Sequence, residues 1–400
     1  MIFIRQAGIR LNLVYNTMSG RAIHSGYTKH NEIELLKGGS IYFTRLLELI
    51  HAARESIHVQ VYIFDDDATG TLVANALMAA AAKGIPVFVL ADGFASQHLS
   101  NSFLKKLRSS GIQFRYFEPL LKSSHFYFGR RMHHKLVVID GKEALVGGIN
   151  LADRYNDVVG INAWLDFALY VKGEAAVQLY RICRSSWKEK DQKQEPVIDL
   201  SGITSNCSVR VSRNDWVKGK HEIWRTYFSF FNQASESITI ICSYFLPGST
   251  LRKQLAKAVK RGVMVKVILA GPSDVPIAKY AERYLYRWML KNGIHLFEYQ
   301  PTVLHAKMTV VDEHWVTIGS YNINNISAYA SVELNLDVRN KPFAKKVHQQ
   351  LNEIISNDCV EVTENKFVNR LGFFTRLLHK LSYEIIRLIT NISTFYFRHE

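Results

Sequence analysis

Apolar residues along this chain change rhythm in a sequence that occurs twice. ESIHVQVYIF (55–64) resembles ESITIICSYF (236–245), and both read as short buried strands. Each follows an amphipathic, helix-like stretch, IYFTRLLELIHAAR (41–54) and EIWRTYFSFFNQAS (222–235). Each precedes another helix, GTLVANALMAAAAKG (70–84) and STLRKQLAKAVKRG (249–262), whose last residues, Gly84 and Gly262, suit a helix C-cap. A β-rich run follows, IPVFVLADG (85–93) or VMVKVILAG (263–271). Strands alternating with helices predict an α/β fold with a largely parallel core in each half.

Later in each half comes an apolar strand with a charged mouth. HHKLVVIDGKEALVGGIN (133–150) and HAKMTVVDEHWVTIGSYN (305–322) share one arrangement. His133 and Lys135 lie two apart, as do His305 and Lys307, and therefore share a strand face. Asp140 and Asp312 stand five positions after the lysines, at the strand ends. DGK and DEH then read as tight turns into a return strand. Gly147 and Gly319 fall 14 residues after the histidines and Asn150 and Asn322 fall 17 after them. Glycine there lets backbone approach a ligand or the other half closely.

Each of these features alone has a bland reading: a surface HxK, a turn glycine, an aspartate at a strand end. Their recurrence in one register makes coincidence the weak hypothesis. Together they suit an anionic phosphorus centre. Lys135 and Lys307 supply charge, and Asn150 and Asn322 supply amide donors for the non-bridging oxygens. A neutral histidine can attack phosphorus while a protonated one gives a proton to the departing oxygen. Their pKa values must then be pushed apart, and neighbouring carboxylates are one means. Asp166 and Glu333 are the candidates to hold the ring nitrogens. They stand at unequal spacings, 33 residues after His133 and 28 after His305, so the first orienting carboxylate, Asp166, is open.

The chain has 400 residues, 48% of them hydrophobic, which excludes disorder for most of its length and allows two core-bearing halves. A formal net charge of +15 points to an acidic partner: nucleic acid, an anionic membrane surface or a phosphorylated substrate. No metal site or cofactor is expected. There is no HExxH and no GxxxxGK[ST], the four cysteines show no CxxC spacing, and FDDDATG (64–70) reads as a strand-to-helix turn. The scattered cysteines fit a reducing compartment. No apolar stretch reaches the roughly 18–20 residues of a membrane span, and the opening segment is a poor signal-peptide core.

HHKLVVID and HAKMTVVD each fit the HxKxxxxD signature of the phospholipase D superfamily, followed by GG or GS and then Asn. The resemblance runs from about 32 to 360. NEIELLKGGSIYF, VYIFDDDATG, GRRMHHKLVVID and SYFLPG resemble, more narrowly, bacterial cardiolipin synthases without N-terminal membrane helices. It implies two phospholipase D-like lobes related by internal duplication, each a mixed sheet flanked by helices, with one active site at the lobe interface. The expected organisation is an N-terminal extension (1–30), lobe 1 (31–187), a linker (188–220), lobe 2 (221–360) and an amphipathic C-terminal helix (361–400).

The resemblance implies a covalent phosphohistidine intermediate, with His133 as nucleophile and His305 as acid and base, an order the sequence symmetry leaves open. Asp140 and Asp312 would organise the site rather than touch substrate. The implied reaction passes a phosphatidyl group to phosphatidylglycerol, with phosphatidylglycerol or phosphatidylethanolamine as donor. Hydrolysis by water, another phosphatidyl transfer, or a nuclease activity on nucleic acid are the alternatives, nucleic acid being the less favoured partner.

The tail carries apolar residues at 367, 371, 374, 378, 381, 385, 388, 392 and 395, one helical stripe interrupted by Arg370, Arg376, Lys380 and Arg387. It reads as an interfacial helix on anionic lipid, or as a helix packed on the protein's own body or on a second copy. HFYFGRRMHHK (125–135) mixes rings and cations in a way that suits a lipid surface or a nucleic acid backbone, whereas RKQLAKAVKR (252–261) reads as a solvated helix face. The expected location is cytoplasmic, peripherally associated with the inner (cell) membrane.

Overall fold

The computed structural model describes residues 25–119, 130–187, 207–365 and 371–395. The start of the chain, residues 125–129 of the aromatic and arginine run, the linker as far as 206 and residues 367–370 of the tail lie outside them.

In chain order the first half is β1 (Asn31–Lys37), α1 (Ser40–Ala52), β2 (Ile57–Val61), α2 (Ala68–Ala82), β3 (Val87–Asp92), α3 (Asn101–Ser109), β4 (Gln113–Phe117), β5 (Arg131–Met132), β6 (Lys135–Ile139), β7 (Glu143–Gly147), β8 (Phe167–Gly173) and α4 (Glu174–Trp187). The second is β9 (Ser208–Asp215), β10 (Lys220–His221), α5 (Glu222–Gln233), β11 (Ser237–Cys242), α6 (Ser249–Lys260), β12 (Met264–Ala270), α7 (Pro276–Lys291), β13 (His295–Tyr299), β14 (Lys307–Val311), β15 (Trp315–Gly319), α8 (Asn325–Tyr329), β16 (Ser331–Arg339), α9 (Lys341–Asp358), β17 (Cys359–Val362) and α10 (Phe373–Phe395).

One sheet runs β1-β8-β7-β6-β2-β3-β4; the other repeats it as β9-β16-β15-β14-β11-β12-β13, with β10 and β17 added at the edges. In each, three parallel strands (β2-β3-β4, β11-β12-β13) carry helical crossovers. The remaining strands of the repeat pair antiparallel, with β6–β7 and β14–β15 as the motif hairpins. The expected linker ends earlier than 220. Its later part holds β9, whose Val209 is fully buried and which pairs with β16 from Ser208 to Asn214. Alternation of small apolar and polar residues in SVRVSRND is a strand pattern that polar composition masks.

Alternate residues of the motif strands serve different cores. Val137 and Ile139 join Leu46 and Leu77 of the helical layer. Leu136 and Val138 face the other sheet, where they cluster with Met308, Val310, Ile318 and Leu336. The two sheets thus pack face to face through one apolar layer, which fixes the ends of β6 and β14 relative to each other.

The motif hairpins turn through the left-handed region, at Asp140 (φ 55°) and Gly141 (φ 66°), and at Asp312 (φ 50°) and Glu313 (φ 46°). Aspartate tolerates this conformation better than most side-chain-bearing residues, and its carboxylate is used. Asp140 accepts from the backbone N–H groups of Arg54, Glu55 and Ser56. Asp312 accepts from those of Ser235, Glu236 and Ser237. Each aspartate ties its hairpin to the loop that starts the central strand of its sheet.

Candidate active site

The two motif histidines enter from opposite halves and cross over. His133 N–H donates to the carbonyl of Val332 at 2.9 Å, and His305 N–H donates to that of Leu165 at 2.8 Å. The residues after those acceptors are the two carboxylates. His133 Nδ1 lies 2.9 Å from Glu333 Oε2, and His305 Nδ1 lies 2.7 Å from Asp166 Oδ2. Each imidazole is therefore held at Nδ1 by a carboxylate from the other half, and Lys307 Nζ lies 3.3 Å from Nε2 of His305. Strand β5 strengthens the crossing by pairing in parallel with the start of β16, Arg131 opposite Ser331.

The unequal spacing of the carboxylates is a matter of loop length. Gly147 pairs with Ala168 in the first sheet, and Gly319 pairs with Asn335 in the second. Asp166 and Glu333 each lie two residues before those partners, so they are equivalent positions, and the connection before Asp166 absorbs the extra residues. The glycines matter because a Cβ on Gly147 would meet the Phe167 carbonyl at 2.3 Å and one on Gly148 would meet an Asp166 carboxylate oxygen at 2.3 Å. The residue equivalent to Gly148 is Ser320, whose hydroxyl donates to Glu333 at 2.5 Å. Ser331 donates to the other Glu333 oxygen at 2.6 Å.

The lysines are buried behind the histidines. Lys135 Nζ donates to the His133 carbonyl at 2.9 Å and faces the Tyr62 ring. Lys307 Nζ donates to the His305 carbonyl. Asn322 lines the cavity described below, and its Oδ1 accepts from the Ser243 hydroxyl, which leaves the amide nitrogen to donate inward. Asn150 is fully buried beside that wall, with Oδ1 accepting from Ile63 N–H. Asp140 and Asp312 stand at the far ends of β6 and β14, about 16 Å along the strand from Lys135 and Lys307 at ~3.3 Å per residue. They do not reach the imidazoles.

Burial works to lower both histidines. His305 is held well below its usual range by burial and by Lys307 and Lys135; His133 is lowered less far in kind, because Glu333 opposes the burial. The carboxylates diverge. Burial pushes Asp166 up to about 7, against the pull of Lys307. Burial acts on Glu333 in the same sense, but His133, Lys135 and the Ser320 hydroxyl outweigh it and hold it below its usual range. One imidazole thus sits on a carboxylate held toward its ionised form and the other on a carboxylate pushed toward its protonated form. Burial, with Lys307 close by, also drives Lys135 well below its usual value, and burial lowers Lys307 as well.

Both histidines open into a single cavity of about 1010 Å³, at the top of the usual size range for ligand pockets. Its walls include residues that motif spacing gave no reason to select. Tyr62 packs edge-on against His133, and Tyr155 and Trp164 pack against His305. Arg131, Arg154 and Arg252 add positive charge. Asp274, hydrogen-bonded by the Tyr244 hydroxyl at 2.6 Å, is an acceptor on the opposite side of that charge balance. Tyr62, Arg131 and Tyr244 lie inside strings that carry the family resemblance; Arg252 opens the run that reads as a solvated helix face and lines the cavity instead; Arg154, Tyr155, Trp164 and Asp274 had no local signal.

A family described as "Cardiolipin synthase, PLD-like domain" matches residues 46–181 and 227–355, one segment for each half. The chain belongs to this cardiolipin synthase family. Cardiolipin synthase B of Salmonella typhimurium is 32% identical over 360 residues, which cover 86% of this chain and 85% of the relative. The Escherichia coli K12 protein of the same description is 31% identical over 355 residues, covering 85% and 84%. The fold is also that of phosphatidylserine synthase of Haemophilus influenzae Rd KW20, with a TM-score of 0.74 at 14% identity over 94% of this chain and 99% of that one. The cardiolipin synthase family thus accounts for the duplicated signature and for both sheets. The expected fold class, two phospholipase D-like lobes built as mixed sheets flanked by helices, is the observed one.

Proposed function

We propose that the protein is a phosphatidyltransferase that makes cardiolipin through a phosphohistidine. The observation that carries this reading is the crossed pair of histidine–carboxylate contacts opening into one large cavity, in a chain of the cardiolipin synthase family. His133 is the nucleophile. Its Nε2 lone pair forms the bond to phosphorus as the bond to the departing headgroup oxygen breaks. The phosphorylated ring carries positive charge, and the ionised Glu333 at Nδ1 is suited to stabilise it. His305, held neutral by burial, gives its Nε2 proton to the leaving oxygen as its Nδ1 takes the proton of Asp166, whose raised pKa favours its protonated form. In the second step a glycerol hydroxyl of phosphatidylglycerol attacks phosphorus, His305 takes its proton, and the P–N bond breaks to release cardiolipin. Lys135, Lys307, Asn150 and Asn322 serve the non-bridging oxygens.

Asp140 and Asp312 act through the hairpins they anchor. The substrates are anionic phospholipids taken from the surface of a bilayer, and the protein works as a peripheral component of the inner (cell) membrane. Among the described residues no helix is long and apolar enough to cross a membrane. The deciding experiment incubates the purified protein with phosphatidylglycerol, alone and with phosphatidylethanolamine, and identifies products by mass spectrometry, with a DNA substrate and a chelator arm in parallel. Cardiolipin is expected, with glycerol released if phosphatidylglycerol is the donor and ethanolamine if phosphatidylethanolamine is. Cleavage of DNA without lipid transfer defeats the proposal.

A further inference from the structure

Helix α10 is seated the wrong way round for a helix that serves a protein core. Its buried positions, His379, Ser382 and Thr390, are polar, and the helix packs on α7. The Tyr280 and His379 rings stack there at 5.7 Å, and Tyr284 meets Tyr383 at 4.8 Å. The apolar stripe points outward instead. Phe374 is 82% exposed and Leu388 59%, with Leu378, Leu381 and Ile385 exposed between them. A soluble helix docked on its own domain buries the apolar face, and a contiguous apolar surface left in water marks an interaction site.

Three further observations say what covers it. First, the helix is part of the site. Tyr383, Ile386, Arg387 and Thr390 line the cavity that holds His133 and His305. Second, the exposed apolar surface continues onto the cavity rim: Ile389, Val275, Ile277 and Ile326 are all exposed and all line the cavity. Third, Arg376, Lys380 and Arg387, spaced four and seven residues apart, share one exposed face of the helix, about 140° around from the middle of the stripe, and Arg387 is ion-paired with Glu384 at 2.7 Å. An apolar band that runs onto the rim of a cavity, on a helix whose other exposed face carries these cations and in a chain of net charge +15, matches an anionic bilayer: hydrocarbon against the stripe and headgroup phosphates within reach of the long cationic side chains.

We infer that α10 is the membrane-docking surface of the protein, seating it on anionic lipid so that the cavity rim meets the headgroup layer. This deepens the proposed function, on which it rests only for the nature of the substrate. The stripe sets the orientation of the protein on the surface, and the inner face of the same helix walls the route a headgroup takes to the histidines.

The test uses the full chain and the double variant Leu381→Glu/Leu388→Glu, both positions lying on the exposed stripe and outside the cavity wall. Co-sedimentation is read with vesicles of phosphatidylcholine alone and of phosphatidylcholine with an equal share of phosphatidylglycerol. The parent chain is expected to bind the anionic vesicles and to lose binding in high salt. The double variant is expected to bind at least about tenfold more weakly, with an unchanged melting temperature. Turnover of a short-chain, monomeric phosphatidylglycerol should be unchanged in the variant while turnover on vesicles falls with binding. Vesicle binding equal to the parent's overturns the inference. So does a parent dimer in lipid-free buffer that the substitutions dissolve without affecting vesicle binding, since the stripe then serves a second copy. Binding is read without turnover, so an absence of lipid transfer would defeat the proposed function and leave this inference to stand or fall on sedimentation.

Discussion

Glu333 of the second half holds Nδ1 of His133 from the first at 2.9 Å, and that contact has a mirror in the 2.7 Å contact of Asp166 with His305. Neither half owns a complete histidine–carboxylate pair. The backbone repeats the exchange, since each histidine N–H is bound by the carbonyl just before the opposing carboxylate. The inter-sheet apolar layer is therefore more than a stability device. It sets the separation of the two imidazoles, and a repacking of Leu136 or Met308 would be read at the site before it was read in the fold.

His133→Ala and His305→Ala should each lower transfer by about 10³-fold or more, yet fail differently. With phosphatidyl-p-nitrophenol the leaving group needs no proton. His305→Ala should then release nitrophenolate and accumulate the phosphohistidine, trapped by rapid denaturation. His133→Ala should give neither. Near-normal turnover by either variant removes the two-histidine scheme, and accumulation in His133→Ala in place of His305→Ala reverses the roles.

Asp166 gives the site its pH dependence. Its folded pKa, about 7, stands above the unfolded value of ~3.9. The native state therefore binds this proton more tightly, so the stability it contributes is complete below about pH 4 and is lost as pH rises through 7. The stability of the parent chain minus that of Asp166→Asn should fall between pH 4 and 7 and then flatten, read by chemical denaturation. Transfer should show an alkaline limb near pH 7 that Asp166→Asn abolishes along with most of the rate. A limb that persists unchanged in the variant assigns it to another group.

Asp140 serves three backbone donors and no substrate. Asp140→Ala leaves those N–H groups unpaired beside a left-handed turn and should cost on the order of 2 kcal/mol of stability. Activity per folded molecule should stay within about tenfold of the parent at low temperature. Asp312→Ala should behave alike. A loss of turnover as deep as that of the histidine variants, with an unchanged denaturation midpoint, would place these carboxylates in the chemistry instead.

The duplicated histidines, lysines and asparagines were legible because each repeat supplies them at fixed spacing on one strand, and a period of two needs no tertiary information. The partners of the histidines were not. Asp166 and Glu333 could be named as carboxylates, but the crossing that gives each to the other half's histidine follows from sheet packing. Loop length hid the equivalence of the two positions until the β7–β8 and β15–β16 registers aligned them. Tyr155, Trp164 and Asp274 were invisible for the same reason: they sit on loops that only the folded halves bring to the cavity. The tail stripe was plain in the sequence, and its outward direction was not, because a periodicity of apolar residues names a face without saying what meets it.

Gly148 and Ser320 occupy equivalent positions and do opposite work, which makes them a test of how the two carboxylates come to differ. Ser320 adds a donor to Glu333 and helps to keep it ionised. Gly148 adds nothing to Asp166 but space, and a Cβ there would sit 2.3 Å from its oxygen. Gly148→Ala must push Asp166 off His305 and should lower transfer by about 10²-fold, since a displacement of about 1 Å has that effect in an aligned site. Ser320→Ala removes one hydrogen bond from Glu333 and should cost nearer tenfold, because it weakens the stabilisation of the phosphorylated His133 without moving it. The two effects separate in single-turnover kinetics. Gly148→Ala should slow formation of the phosphohistidine from phosphatidylglycerol but spare its formation from phosphatidyl-p-nitrophenol, while Ser320→Ala should slow both. Equal slowing of both substrates by Gly148→Ala would mean that the added methyl disturbs His133 as well, and that the two carboxylate sites are not independent.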